Sequence, residues 1–337
     1  MGGKALNNYG VFTERKNTDE FLRIGREIKS TVEFDLDIIC SVVTCYHTKP
    51  DHGDLDLLIR MTDNLQIDWK NYIQSKFKPR AIHNNGGVYS FDYQNFQIDF
   101  IPVKSKKWET ALVYYSYDPL GNIMGKTFHK FGLSYGWDGL FYKFRNFSGA
   151  NSKNLLISND ARKIFEFGGY DYDRYLQGFE TIEDIFKFAI AGKYFDSEIF
   201  QMENLKSIDK KRNRKRGSYH TYLNYIKEND INVRYQFRLN KQDYLPMIEE
   251  TFPEAKLLEQ LNGLKNNDRL MKIISMKFNG DIVMSWLPNL KGKQLGGAIR
   301  NFRDHLGDDY NSFILNNNYD TIREYFMKTY TKSNNIE

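Results

Sequence analysis

Two aspartates separated by a single leucine, Asp54 and Asp56, open the apolar run that ends at Ile59. A short run of this kind predicts a β-strand. Because side chains alternate along a strand, both carboxylates leave the same face, and Leu55 and Leu57 point into the body of the sheet. Neighbouring like charges repel each other, and a hard divalent cation such as Mg²⁺, which prefers oxygen ligands, removes the conflict. The spacing therefore predicts a strand whose exposed face carries a metal-binding carboxylate pair.

A second apolar stretch, from Phe96 to Ile101, carries one acid in its middle, Asp99. Metal sites of this kind commonly use a third carboxylate, and Asp99 is the candidate. The alternative interpretation is a pair of solvated acids at the end of a strand, because short motifs often occur by chance. Gly53, directly before the pair, and the matching acid strand favour the metal site.

Composition limits the class of protein. The 337 residues can form two or three packed domains. Hydrophobic residues make up 41% and charged residues 27%, which is typical of a soluble globular protein. No apolar stretch is long enough to cross a bilayer, and the N-terminus lacks an export signal, so we expect no membrane partner. The net charge of +5 permits a polyanionic partner.

Cysteine usage indicates the redox environment. The chain has two cysteines, Cys40 and Cys45, and an offset of five places them on opposite faces of a strand. A disulfide between them is therefore not expected. We predict a reducing, cytoplasmic location.

The order of the patterns predicts an α+β fold. A β-rich segment (38–46), the Asp54 strand, a helix (67–77), a hairpin and the Asp99 strand describe a small mixed sheet. After about residue 112 the apolar spacing favours helices. We predict a core at 1–112, a helical domain with RNA-binding capacity at 113–265, and a C-terminal helical region at 266–337.

The most basic segment has six positive charges in seven residues: Lys210, Lys211, Arg212, Arg214, Lys215 and Arg216. Such a run is often a solvated face or a nuclear signal. Aromatic residues follow it, among them Tyr219 and Tyr222, and cations beside aromatics also fit a nucleic-acid backbone with stacking partners. We favour nucleic-acid binding because the simpler interpretation does not require the aromatics.

The acid strands and the segment before them resemble the polymerase-β-like nucleotidyltransferase superfamily, which includes poly(A) polymerases and CCA-adding enzymes. Ile-Cys-Ser at 39–41 precedes Asp54-Leu55-Asp56 by a suitable spacer, and Cys40 stands where the family has glycine. Residues 290–296 are similar to a late Gly-Lys-x-Leu-Gly element of CCA-adding enzymes, and 171–174 to their Asp-x-x-Arg motif. The opening residues 2–6 are similar to proteins of this kind from large phages and giant viruses.

The resemblance implies two-metal nucleotidyl transfer with Mg²⁺ or Mn²⁺ as cofactor and a nucleoside triphosphate as substrate. Asp54 and Asp56 would bind both ions, and Asp99 would complete one site and act as or near the base. The residues expected to contact the nucleotide are Ser41, Gly53, Gly2 and Gly3. A flexible N-terminus is an equally open interpretation of the paired glycines.

The acceptor is predicted to be an RNA 3′ end, because of the basic run, the aromatic-rich helical region and the late glycine element. One alternative acceptor is a protein hydroxyl or a second nucleotide. Another alternative is a degenerate transferase kept as a nucleic-acid-binding or structural protein, which the departure at Cys40 favours and the intact acid triad opposes. A viral origin would also allow a location in the virion.

Overall fold

The computed structural model describes residues 3–63, 65–147, 149 and 152–334, and the chain divides into two compact units. The first unit contains Met1–Lys143 with Asn154–Leu257, and the second contains Phe144–Lys153 with Leu258–Glu337. The fold is α+β, with a β-sheet core followed by a helical region, as predicted.

The strands in chain order are β1 (Lys16–Asn17), β2 (Cys40–Val42), β3 (Asp51–His52), β4 (Asp54–Met61), β5 (Ile82–Asn85), β6 (Val88–Tyr93), β7 (Phe96–Lys104), β8 (Leu133–Gly136), β9 (Gly139–Arg145) and β10 (Ser152–Ser158).

The helices are α1 (Thr18–Leu36), α2 (Trp69–Phe77), α3 (Trp108–Tyr115), α4 (Leu120–Lys130), α5 (Ala161–Gly168), α6 (Tyr172–Leu176), α7 (Ile182–Ile190), α8 (Ser207–Asn213), α9 (Gly217–Glu228), α10 (Leu245–Thr251), α11 (Leu257–Lys277), α12 (Gly280–Trp286), α13 (Gly292–Leu306), α14 (Tyr310–Asn316) and α15 (Tyr319–Asn334).

A five-stranded mixed sheet forms the core of the first unit, in the order β2-β4-β7-β6-β5. The two acid strands, β4 and β7, are neighbours and run parallel, whereas the other pairs are antiparallel. In the β4–β7 register Asp56 is opposite Asp99, and Asp54 is opposite Gln97. The predicted hairpin is present between β5 and β6, with Gly86 and Gly87 at its turn.

The two faces of this sheet are covered differently, as the alternation of β4 requires. Leu55, Leu57 and Ile59 pack with buried residues of α1 and α2. Leu58 packs on the opposite side with the start of α3. Burying each large apolar side chain stabilises the unit by about 1.5–3 kcal/mol, so the apolar positions hold β4 in one register.

The rest of the first unit is more varied than the apolar spacing predicts. A three-stranded sheet, β10-β9-β8, interrupts the region expected to be mainly helical. A core of fully buried aromatic side chains holds the helices of this unit together: Phe128, Phe131, Phe165, Phe179, Phe186, Phe200, Tyr219, Tyr222 and Phe252.

The second unit has its own core. Buried residues of α11 to α15 form one apolar cluster, centred on Phe278, Trp286, Phe302 and Phe326. Helix α13 begins at Gly292, so Gly292 and Gly296 of the late glycine element lie within its first turns. Among the described helices of the whole chain, none is long and apolar enough to span a membrane.

Candidate active site

Asp54 and Asp56 lie on one face of β4, with Leu55 buried between them on the other face. Asp99 lies on the neighbouring strand directly opposite Asp56. Adjacent strands are about 4.8 Å apart, so the parallel pairing brings acids from distant parts of the sequence side by side. The two acid strands therefore place Asp99 beside Asp56, with Asp54 two residues away along β4.

These carboxylates are electrostatically unfavourable when all are charged. Burial raises the pKa of Asp56 well above its usual range, and the neighbouring charges of Asp99 and Asp54 raise it further. Burial raises the pKa of Asp99 to about 6. Burial also raises the pKa of Asp54, which the Lys49 ammonium opposes. A bound cation would remove this repulsion.

Gln97 holds Asp99 in place. Its Nε2 donates to both carboxylate oxygens of Asp99, at 3.0 and 3.1 Å, and its Oε1 accepts from the backbone N–H of Ala5 at 2.9 Å. The hydroxyl of Ser90 on β6 also bonds to Asp99. Because Gln97 is buried and bonded on both sides, it links the N-terminal segment to the acid strands.

Gly3 lies against the residue that precedes the aspartate pair. It has a φ of +82°, and a Cβ built on it would be 2.4 Å from the carbonyl oxygen of Gly53. Its backbone N–H donates to Asp54, and its carbonyl oxygen accepts from the Thr13 hydroxyl at 2.8 Å. A glycine is therefore required here by both conformation and space. Gly2, its predicted partner, lies outside the described residues.

A cavity of about 480 Å³ opens beside the aspartates, entirely within the first unit. Asp54 and Asp56 line one side of it. The other walls come from residues 43–46, the tyrosines at 114, 115 and 117, the N-terminal turn of α4, and residues 215–218. This size is in the range of small-ligand sites, and the mixture of aromatic and charged groups suits a nucleotide.

Cations also border this cavity. Lys49 lies in the turn before β3 and acts electrostatically on both Asp54 and Asp56. Lys215 and Arg216 reach the cavity just before α9, and Gly217 and Ser218 of the first turn of α9 also line it. The Ser218 hydroxyl donates to Asp118 at 2.5 Å. Acidic and basic groups thus lie around one opening, as binding a metal together with phosphate requires.

The structure separates the predicted basic run into two parts. Lys210, Lys211 and Arg212 lie on α8, and the last two cations reach the cavity. The predicted stacking partners Tyr219 and Tyr222 have no exposed surface and belong to the aromatic core. Their apolar rings pack between helices, so they cannot stack on a base.

Ser41 lies on β2 opposite Leu58, two positions along β4 from Asp56. Among the described residues, the part of this segment that lines the cavity runs from Val43 to Tyr46, and Ser41 is not included. Asp99 does not line the cavity either, and it lies next to Asp56 on the neighbouring strand. A nucleotide contact by Ser41 stays a prediction.

The Asp-x-x-Arg sequence at 171–174 has a structural explanation. The Asp171 side chain caps α6 by accepting from the backbone N–H of Arg174 at 2.9 Å. The Arg174 guanidinium donates to the carbonyl oxygen of Gly178 and lies 4.9 Å from the centre of the Phe179 ring. Both residues are thus used in local packing.

Sequence reasoning missed three kinds of site residue. Lys49 was the easiest of these to find from the sequence, because it is the cation in the turn sequence 49–53 that precedes the Asp54 strand. Gln97, two residues before Asp99, shares its strand face by the same alternation that pairs the aspartates. The tyrosines 114, 115 and 117 gave no signal, since an aromatic run is typical of packing as well as of binding.

The donor set suits Mg²⁺ or Mn²⁺, which are bound by carboxylate oxygens. Within the ranges that the structure describes, no group of three or more His, Cys, Asp or Glu side chains is arranged so that it could hold a metal ion by itself. Asp54 and Asp56 line the cavity and Asp99 lies beside Asp56, so a metal ion here would need further ligands, such as the phosphate oxygens of a substrate. Mg²⁺ commonly binds in this way, through one or two carboxylates plus substrate phosphates.

The sequence matches no protein-family model and no curated protein sequence. The structure is similar to that of polymerase beta from Leishmania infantum in a ternary P/T complex, with a TM-score of 0.34 and 15% sequence identity. The similarity covers 54% of this chain and 75% of that one.

Proposed function

We propose that the first unit is a metal-dependent nucleotidyltransferase that moves a nucleoside monophosphate from a nucleoside triphosphate to an acceptor hydroxyl and releases pyrophosphate. The observation that carries this proposal is the juxtaposition of Asp54 and Asp56, beside Asp99, with a cavity bordered by Lys49, Lys215 and Arg216. Paired carboxylates suit divalent ions, and the facing cations suit a triphosphate.

Asp54, Asp56 and Asp99 would hold the ions, which when bound neutralise charge on the attacking and leaving oxygens. Gln97 keeps Asp99 oriented through two hydrogen bonds. Asp99, beside Asp56 on the neighbouring strand, would act as or near the base for the acceptor hydroxyl. Lys49, Lys215 and Arg216 would bind phosphate oxygens, and the chemistry then depends mainly on positioning and charge.

As acceptor we propose an RNA 3′ end. Lys215 and Arg216 continue the basic run of α8 into the cavity, so one stretch of chain offers cations both at the reacting centre and outside it. A strand bound through its phosphates along this stretch would have its end beside Asp54 and Asp56.

The test is incubation of the purified protein with Mg²⁺ or Mn²⁺, each radiolabelled nucleoside triphosphate in turn, and a mixed small-RNA pool. We expect labelled RNA, with activity reduced at least 10³-fold in Asp54→Ala because the charge stabilisation is lost. Asp19→Ala, which removes an exposed carboxylate of α1, is the matched control and should keep full activity.

The outcomes separate the acceptors. Label on protein or on a nucleotide, lost in Asp54→Ala, would keep the transfer chemistry and overturn the RNA acceptor. No label with any nucleotide, together with measurable RNA binding, would overturn transfer and favour a degenerate transferase kept for binding. Activity that survives Asp54→Ala would overturn the assignment of the site.

A further inference from the structure

Four basic residues meet at the C-terminal end of α4, outside the cavity described above. We call His129, Lys130, Lys206 and Lys241 the His129 cluster. The Lys206 ammonium lies 2.8 Å from Nε2 of His129, and the Lys241 ammonium donates to the carbonyl oxygen of His129. Lys130 acts electrostatically on Lys241 and lies 6.0 Å from the centre of the Phe237 ring. All four residues belong to the first unit.

The charges of this cluster are not balanced by acids. Among the described residues, none of the ion pairs includes Lys130, Lys206 or Lys241. Asp209 also acts on His129, and its effect is smaller than that of the lysines. Burial, followed by the charges of Lys206 and Lys130, lowers the pKa of Lys241. An arrangement of this kind is relieved when an anion binds.

His129 positions the lysine beside it. Burial, followed by the charges of Lys241 and Lys206, lowers the pKa of His129 to about 4, so its ring is neutral at pH 7. One ring nitrogen accepts from Lys206, and the imidazole also bonds to the backbone of Leu133. The ammonium of Lys206, an exposed residue, is therefore held at a defined place.

Helix capping explains only part of the cluster. Cations stabilise a helix C-terminus, and Lys241 does so through the carbonyl oxygen of His129. Lys206 bonds to a side chain instead, and it comes from the segment directly before α8. The cap alone does not account for a third lysine at the same point.

We propose that the His129 cluster binds a backbone phosphate of the RNA strand whose 3′ end enters the cavity. The assignment of the strand rests on the proposed function. Helix α4 connects the two places, because Gly121 and Asn122 line the cavity and His129 lies seven residues further along the helix. Seven residues correspond to about 10 Å along the axis, a distance that a few nucleotides can span. Lys206 and Lys241 supply the charge, and His129 orients Lys206.

The experiment measures binding of a fluorescently labelled 12-nucleotide single-stranded RNA to the full-length protein by anisotropy at several salt concentrations. We expect Lys206→Ala to weaken binding about 5- to 10-fold and to lower the salt slope by about one, the effect of losing one phosphate contact. Lys206→Glu should weaken binding further. Lys70→Ala, which removes an exposed lysine of α2, is the matched control and should bind as the wild type does.

A second readout separates this inference from the proposed function. Transfer to a dinucleotide acceptor, too short to reach the cluster, should be unchanged in Lys206→Ala, whereas transfer to the 12-nucleotide RNA should show a raised KM. If transfer is absent in the wild type but Lys206→Ala still weakens RNA binding, the phosphate site stands and the proposed function fails. If Lys206→Ala and Lys206→Glu both bind RNA with wild-type affinity and salt slope, the phosphate site is overturned.

Discussion

Asp54 and Asp56 share a strand face because they are two residues apart, and no other part of the chain is needed for that result. Their pKa values, in contrast, depend on the rest of the chain. Strand β7 brings Asp99 opposite Asp56, and burial raises the pKa of all three carboxyl groups. Carboxyl groups that would be ordinary acids on an isolated strand therefore hold their protons more tightly in the folded chain.

At the residue scale, the close contact between Gly3 and Gly53 gives a matched comparison. Gly3→Ala should reduce nucleotidyl transfer at least tenfold, because the new methyl group would displace the backbone next to Asp54. Gly10→Ala is the control, since Gly10 also has a positive φ but has nothing within 4 Å of a Cβ. Each variant carries a backbone cost of about 1 kcal/mol, so the melting temperature should fall in both. The clash with Gly53 should lower the melting temperature of Gly3→Ala further. Equal activity in the two variants would contradict a role for Gly3 at the site.

The raised pKa of Asp99 predicts how stability depends on pH without metal. A carboxyl group whose pKa is higher in the folded state adds stability below its ordinary value near 3.8, and this stability is lost as the pH rises through about 6. The asparagine of Asp99→Asn does not titrate. Between pH 4 and 7 the free energy of unfolding of this variant should therefore rise by on the order of 2 kcal/mol relative to that of the wild type. Urea unfolding in EDTA at pH 4, 5, 6 and 7 measures the difference. Parallel pH profiles for the two proteins would show that Asp99 is not destabilised as an anion.

At the scale of elements, local signals located the helices better than they set their lengths. Phe21, Ile24 and Ile28 have the apolar spacing of a helix and are buried on α1, and the expected helix at 67–77 corresponds to α2. The apolar spacing from 182 to 200 is typical of a single amphipathic helix, but α7 ends at Ile190, and a short 3₁₀ turn covers 197–200. Apolar spacing reports which residues are buried, and buried residues after a helix end continue the pattern without continuing the helix.

The start of α7 was predictable and can be tested. The Thr181 hydroxyl accepts from the backbone N–H of Asp184 at 3.2 Å, and the Asp184 carboxylate accepts from the backbone N–H of Thr181 at 2.9 Å. Thr181→Ala should lower the free energy of unfolding by about 1 kcal/mol, as measured by urea denaturation. Thr221→Ala on α9, whose hydroxyl only bonds back to Gly217 of its own helix, should change it little. A loss as large in Thr221→Ala would show that threonine removal, rather than the cap, lowers the stability.

The segment at 39–41, which resembles the family motif, shows how strand register determines which residues line the cavity. The resemblance implies that Ser41 contacts the nucleotide, which stays a prediction, and β2 pairs with β4 so that Ser41 lies opposite Leu58. The residues that reach the cavity come later, from Val43 onward, where the backbone N–H of Val43 bonds to the carbonyl oxygen of Asp56 at 2.9 Å. Strand register depends on which apolar side chains fit the core, and a spacer count contains no such information.

At the scale of the whole molecule, the three like charges predict that a divalent cation stabilises the folded chain. With Mg²⁺ or Mn²⁺ at 100 times its dissociation constant, the free energy of unfolding should increase by about 2.7 kcal/mol. The melting temperature of the first unit should then rise by several degrees at pH 7, and EDTA should reverse the rise. Asp56→Asn should lose most of this response, whereas Asp19→Asn should keep it. An identical response in Asp56→Asn would place the cation elsewhere.

The sequence by itself determined the strand with its aspartate pair, the second acid strand, the mixed sheet and the helical character of the later chain. These features follow from side-chain periodicity and local turn and cap chemistry, which act over a few residues. Tertiary structure alone decided that Asp99 faces Asp56, that Lys215 and Arg216 border the same cavity as the aspartates, and that Tyr219 and Tyr222 are buried. It also brought Lys206 and Lys241 to His129. Each of these contacts joins segments far apart in the chain, and the packing of the apolar cores, which no local pattern encodes, selects them.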